Sequence, residues 1–351
     1  MRTVLYIAVV CFLMMSCKKE ATNLPPDFNH EITPVPITEN VNVGAYYYNY
    51  SAADWAKKYS NTPVAGEYSA LDPAVMAQHR QWADEGGVDF FIFNWNGAAT
   101  GDPLLKSFIT GRNNQVKMVI NFNMAHLSAT NNSPLTGAKL NTFLNEFKTL
   151  ATAHFNQAYY YKIDGRPVIL ISPLNLSANA AASIDYAAVL PVLKEAMSKE
   201  GIDLYVIGEI TSGWLPPIRY APAIKAMDAV GLSNWSTDVY DRSVFFNAFS
   251  DINWKNWKDS TTNWNVDYVP CIFPGFNDKT MSPASKLYNI GGNAAFYETY
   301  CNVAKHNMGS KRIVLINSWN NFQAGTSLEP AKEYGTTYLG VTKAQFKVKV
   351  L

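Results

Sequence analysis

The chain has 351 residues, and 29 Lys and Arg stand against 28 Asp and Glu, a formal net charge of +1. A balance this even, with no basic cluster, gives no electrostatic reason to expect nucleic acid or an anionic membrane surface as a partner. Hydrophobic content of 48% over this length is ample for one large core, and single α/β barrels reach this size.

The first residues read as processing signals. Arg2 is a short positive n-region, Val4 to Met15 is an apolar h-region, and Met14-Met15-Ser16-Cys17 resembles a bacterial lipobox. The apolar run is shorter than the about 20 residues a membrane-spanning helix needs, which leaves an ordinary secretory signal as the alternative. Ser16 directly before Cys17, with polar Lys18-Lys19-Glu20 after it, favours cleavage there and lipidation of Cys17. Residues 1–16 are therefore expected to be a lipoprotein signal peptide and 17–41 a lipid-anchored flexible tether, with Pro25, Pro26, Pro34 and Pro36 among polar residues. Residues 42–351 would be the folded domain. The mature protein would sit in a bacterial cell envelope, held to a membrane through its lipid, as a monomer.

From Val43 onward, apolar β-rich runs alternate with amphipathic segments. The runs are Val43 to Tyr48, Val88 to Trp95, Lys117 to Met124, Pro167 to Ser172, Asp203 to Ile210, Ala229 to Trp235, Tyr268 to Phe276 and Arg312 to Trp319. Helices are expected at Pro73 to Glu85, Pro103 to Gly111, Ala138 to His154, Ile184 to Lys199, Pro217 to Met227, Val244 to Thr262 and Asn293 to Asn307. Asp72-Pro73 and Asp102-Pro103 are N-cap and first-turn pairs. Eight strands separated by helices call for parallel crossovers and closure as a single (β/α)8 barrel. A doubly wound sheet is the rival, but no glycine-rich phosphate loop follows the first strand, which ends Tyr46-Tyr47-Tyr48-Asn49-Tyr50. Cys271 and Cys301 fall in apolar patterns, so buried free thiols are the simpler expectation and a disulfide the alternative. Neither C-x-x-C nor paired-histidine spacing occurs, and no metal or cofactor is expected.

Strand ends in such a barrel carry the site. The last run breaks into Ser318, Trp319, Asn320, Asn321, Phe322, Gln323, Ala324, Gly325, Thr326, Ser327, Leu328, Glu329. This stretch resembles the last-strand motif S-F-N-E-W-x-E-G-T-x-I-E of glycoside hydrolase family 99 and the related family 71. Gly86 to Gly97 and Gly66 to Pro73 resemble that family's second strand and its entry to the first helix. Tyr160 to Pro167 is similar to a segment of a wider group that includes polysaccharide-synthesis relatives. The resemblance spans residues 43 to 340 and implies a barrel acting on or binding a mannan- or glucan-type glycan. Its two catalytic glutamates fall on Asn321 and Ala324, neither of which transfers protons at neutral pH.

Read from the residues themselves, the strand ends are rich in rings and amides, a mixture that packs on sugar C–H faces and bonds sugar hydroxyls. The substrate-binding candidates are Tyr46, Tyr47, Trp95, Asn123, His126, Trp235, Asp238 and Asn320, with Asn94, Asn121 and Asp278 also at strand ends. Glu209 closes the buried run Leu204 to Gly208 and is the candidate for catalytic duty, unless a buried arginine gives it a structural role. His126 is more often structural than a base. Asp72 is expected to cap a helix, and Glu329 with Pro330 to fix the loop after strand eight. Two functional readings stay open. A glycosidase needs two converging carboxylates, here Glu209 with Asp238, Asp241 or Asp278, whereas a non-catalytic glycan-binding protein needs an aromatic platform and at most one. A transferase would call for a sugar-nucleotide site, for which no phosphate-binding sequence is present.

Overall fold

The computed structural model describes residues 28, 30–112, 116–172, 184–210, 213–216, 218–233 and 236–349. Glu31–Leu351 form one compact unit, and of residues 1–30 only Phe28 and His30 are described. Cys17 and the signal segment therefore lie outside the described residues.

Eight parallel strands close into a barrel. They are β1 (Asn42–Tyr47), β2 (Phe90–Trp95), β3 (Lys117–Asn123), β4 (Arg166–Ser172), β5 (Tyr205–Ile210), β6 (Ala229–Leu232), β7 (Asp267–Ile272) and β8 (Ile313–Ile316). Each pairs with its neighbours in sequence order, and β8 returns to β1 with Asn42 opposite Ile313 and Ala45 opposite Ile316. The expected (β/α)8 architecture is the one observed.

A main helix follows each strand: α1 (Pro73–Glu85), α2 (Ala98–Ile109), α3 (Gly137–Leu150), α4 (Tyr186–Lys199), α5 (Ala221–Lys225), α6 (Phe246–Asn263), α7 (Ala294–Asn307) and α8 (Thr337–Phe346), with short helical turns Ala52–Trp55 and Tyr240–Val244 ahead of α1 and α6. The Asp72 carboxylate accepts from Ala74 N at 2.8 Å, and Pro73 opens α1, as its sequence implies. Helix α2 departs from expectation. It starts at Ala98, five residues before Pro103, because Asp102 takes the Trp95 indole N–H at 2.9 Å instead of capping the helix.

Strand alternation sorts the side chains into two layers. Phe90, Ile92, Val119, Leu170, Ile207, Val269, Cys271 and Leu315 pack inside the barrel, while Phe91, Phe93, Trp95, Phe122 and Val314 pack against the helices. Gly44 lies where a Cβ would meet the Phe90 ring at 2.1 Å, so the glycine makes room for that interior ring. Tyr161 stacks on Phe90 with centroids 4.2 Å apart and helps to fill the barrel beside Ile163, which follows it on a short hairpin before β4. Both thiols are free and buried. Cys271 faces the barrel interior and Cys301 sits on α7 in the helix layer, so a pairing between them is ruled out by the sheet itself.

The expectation of a flexible tether through residue 41 is corrected. Residues 33–41 lie along the folded domain: Val35 N donates to Asn302 Oδ1 at 2.9 Å, Lys305 Nζ donates to the Val35 carbonyl at 2.6 Å, and His306 Nε2 is 2.9 Å from the Thr33 carbonyl. Arg312 holds the Glu39 carbonyl, and Val348 N donates to Asn40 Oδ1. Polar, proline-bearing sequence reads as linker, but here its backbone groups have partners on α7 and the C-terminal segment.

Candidate glycan site

A cavity of about 410 Å³ opens at the C-terminal ends of the strands. Its described lining includes six asparagines, three tyrosines, Ser172, Thr100 and one carboxylate, Glu209. No lysine, arginine or histidine is among those residues. A larger hollow of about 670 Å³ lies at the opposite end, around Arg166, Asp228, Lys258 and Lys311. Arg166 and Asp228 pair there at 2.7 Å, and that end of a barrel serves stability.

The inward residues near the strand ends follow by counting in twos: Tyr46 and Tyr48 from β1, Asn94 from β2, Asn121 and Asn123 from β3, Ser172 from β4, Glu209 from β5, Ser233 after β6 and Asn317 after β8. Glu209, 8% exposed, is where they converge. Its Oε1 accepts from Ser233 Oγ at 2.6 Å and its Oε2 from Asn121 Nδ2 at 3.3 Å, and the Ser172 and Tyr46 hydroxyls also bond it. Burial raises the Glu209 pKa above its ordinary 4.5, outweighing these four donors, which lower it. Tyr46 is raised well above the phenol range, first by burial and then by the Glu209 charge. Among the described residues no buried arginine or lysine faces Glu209. No cluster of three or more His, Cys, Asp or Glu side chains is placed to hold a metal ion, again among the described residues.

Residues 58–342 match the family described as glycosyltransferase WbsX. The chain belongs to the WbsX family. No curated protein matches it. Among solved structures it is similar to a "glycoside hydrolase-like protein" at 28% identity, covering 92% of this chain and 98% of that one, with a TM-score of 0.81. It also shares its fold with a glycoside hydrolase family 99 endo-α-mannosidase from Bacteroides thetaiotaomicron in complex with bis-tris propane. There identity is 18%, coverage 88% and 97%, and the TM-score 0.65. The WbsX-family chain is thus a glycoside-hydrolase-like barrel, related in fold to an endo-mannosidase.

Several expected site residues face elsewhere in this WbsX-family barrel. Tyr47 and Trp95 point to the helix layer, because each is one residue out of step with the inward set. The Tyr47 hydroxyl lies 2.9 Å from His79 Nδ1, and Trp95, 2% exposed, packs on Phe122 and on Gly101, where a Cβ would come within 2.0 Å of the indole. His126 leaves the strand direction in a single helical turn, Met124–Leu127, capped by Asn123. Its ring stands edge-on to Trp95, with one nitrogen at the Asn123 carbonyl and the other 2.9 Å from Glu146 of α3. Asp238 lies beyond the end of β6 on exposed chain, and Asp278 accepts from Ser285 at 2.6 Å; neither lines the cavity, and Asp241 is exposed. Trp235 and Asn234 lie outside the described residues. Tyr46, Asn123 and Glu209 do line the cavity, and Tyr47 borders it although its ring packs in the helix layer.

The loop after β8 is built on buried polar contacts. Asn320, fully buried, accepts from Tyr48 N at 2.7 Å and donates to the Tyr48 carbonyl and the Tyr68 hydroxyl, both at 3.0 Å, so it is not free for a ligand. Tyr68 in turn donates to Glu329 Oε2 at 2.7 Å. Glu329 Oε1 lies 3.2 Å from His79 Nε2, at ion-pair distance though off the line of a hydrogen bond, with both side chains at 0% exposure. Asn321 N donates to Ser318 Oγ, and its Oδ1 accepts from Ala324 N at 3.1 Å. Asn321 also bonds the Tyr48 phenol, whose pKa burial pushes up to about 12. Asn321 and Ala324 are outside the cavity's described lining, and Asn321 reaches it through Tyr48. Ser172, Ser233 and Asn317 join the site without having been among the expected residues. Extending the alternation two residues past each buried strand run would have found all three.

Proposed function

We propose that this WbsX-family barrel binds a glycan at the C-terminal mouth of its strands without cleaving it by a two-carboxylate route. The observation that carries the reading is the cavity's chemistry: amides, phenols and hydroxyls around a single carboxylate. Hydrolysis of the usual kind needs a second carboxyl about 5 to 9.5 Å from the first, and Asp238, Asp241 and Asp278 do not converge on Glu209. The resemblance at the β8 loop agrees, since it puts the paired glutamates of family 99 on Asn321 and Ala324. Mannan- and glucan-type polymers are the glycans that resemblance implies. The family's description favours a second reading, transfer from an activated sugar. A diphosphate donor would be expected to meet cations, and the described lining has none. Titrating the purified protein with mannan, glucan and N-glycan oligosaccharides and with sugar nucleotides, while recording product release, tests both. Binding of neutral oligosaccharides without product is the expected result; turnover of any of them overturns it.

We further propose that the mature chain begins at lipidated Cys17 and is held at the cell envelope. Cys17→Ser is expected to release the protein into the soluble fraction. Unchanged membrane retention would defeat this.

A further inference from the structure

Among the described residues that line the cavity, Asn121 is the one with a buried polar atom that lacks a hydrogen-bond partner. It is 4% exposed and lines the cavity, yet its Oδ1 has no partner among the described residues. The amide's orientation is fixed by its neighbour: only Nδ2 can face the Glu209 carboxylate, so Oδ1 is an acceptor held in place. The other groups around Glu209 are committed in the same sense. Ser233, Ser172 and Tyr46 each turn a hydroxyl proton onto the carboxylate, which leaves their oxygens as acceptors, with Ser172 and Tyr46 on the cavity lining. Glu209 itself is buried with no countercharge among the described residues, and an uncompensated buried carboxylate is costly.

A ligand group that suits such a floor supplies protons and positive charge. A hydroxyl brings one donor along with lone pairs that find few free protons. A protonated amine brings three donors, no lone pair and the charge that Glu209 lacks. An N-acetylated nitrogen is neutral, keeps one N–H and adds a carbonyl where acceptors already crowd.

We propose that the cavity floor, through Glu209 and Asn121, selects a glycan carrying an unacetylated amino sugar. This rests on the glycan-binding reading above and names the ligand class within it.

Matched series separate the two ideas. Chitosan, chitin and cello-oligosaccharides of equal length differ at one position as amine, acetamide and hydroxyl, and the free amino, N-acetyl and neutral monosaccharides of the galacto and manno series extend the comparison. The amine member is expected to bind about 10- to 100-fold more tightly than its partners in the series that fits, the size of a charge-assisted hydrogen bond. Equal or tighter binding of the neutral members overturns this inference and leaves glycan binding standing; no binding in any class, alone or in the larger panel above, removes both. Glu209→Gln should bring the amine-to-neutral ratio down by at least about tenfold, and an unchanged ratio in a folded variant overturns the proposal. If that variant does not fold, the wild type decides through pH. The titratable groups facing Glu209 are Tyr46 and Tyr48 from the β1 side and Cys271 from β7, all raised by burial and so protonated throughout the range used. Because an amino-sugar amine itself titrates near neutrality, the range is about pH 6 to about pH 4, where the amine stays charged, and the preference should fall across it as Glu209 gains a proton. A ratio that stays flat across that range overturns the proposal.

Discussion

Glu209 stores unfavourable solvation energy that four hydrogen bonds only partly offset, and this makes it a source of pH-dependent stability. Its folded pKa lies above the ordinary 4.5, so between those two values the folded state holds a proton that the unfolded state has lost. Stability contributed by this group is present below pH 4.5 and is lost as pH rises through the folded pKa. Denaturant melts of wild type minus Glu209→Gln across this range should show that fall; a flat difference would count against a raised pKa. Two adjacent residues separate ligand contact from packing. Asn94→Ala, at an exposed position on the cavity, is expected to weaken glycan binding about 2- to 10-fold while stability stays within about 0.5 kcal/mol. Trp95→Phe should do the reverse, costing about 1–3 kcal/mol by leaving part of a buried site empty and removing the bond to Asp102, with affinity kept. Calorimetric binding and urea midpoints read both. The sequence held this distinction in its period of two, since Asn94 and Trp95 cannot both face inward. Composition alone did not, because a tryptophan suits a sugar platform and a helix-facing core equally well.

At the scale of elements, the loop after β8 depends on side chains from the other end of the chain. Glu329 meets Tyr68 and His79, and Asn320 clamps the backbone of Tyr48. Glu329→Ala is expected to cost about 3–5 kcal/mol, because it removes one member of a fully buried pair. Hydrogen exchange at the Leu328 amide, which bonds Ser318 and Trp319 carbonyls, should rise in that variant more than exchange in α6. Equal loss across the molecule would mean that the network is no more than general core. That Glu329 steadies this loop could be read from its place before Pro330. Its partners could not, since nothing local marks residues some 250 positions earlier. The start of α2 differs from its local sequence for a related reason: Asp102-Pro103 has the chemistry of a helix start, and a tertiary bond to Trp95 overrides it.

For the molecule as a whole, eight β-rich runs sufficed to give the barrel, because parallel strands joined by helices leave few other closures. The segment 33–41 was not legible, as its contacts are made by its backbone and by Asn302, Lys305 and Arg312 far along the chain. Removing residues 1–41 is expected to lower stability by about 2–4 kcal/mol relative to removing residues 1–30, from the hydrogen bonds lost. Equal unfolding midpoints for the two shortened proteins would show that the segment is only laid on the surface.

The pairing of Asn42 with Ile313 also bears on how the protein is made. β1 leaves the ribosome among the first strands and β8 last, so for most of synthesis the growing sheet has two open edges with unpaired amides and carbonyls. The 33–41 segment waits as well, because its partners on α7 and near residues 312 and 348 emerge late. Nascent chains stopped before residue 313 should therefore be held by chaperones or aggregate, and protease resistance should appear abruptly once β8 and α8 are free. Gradual protection, strand by strand, would argue that the open sheet is already stable. The last strand of this barrel would then act as its latch in time as well as in space.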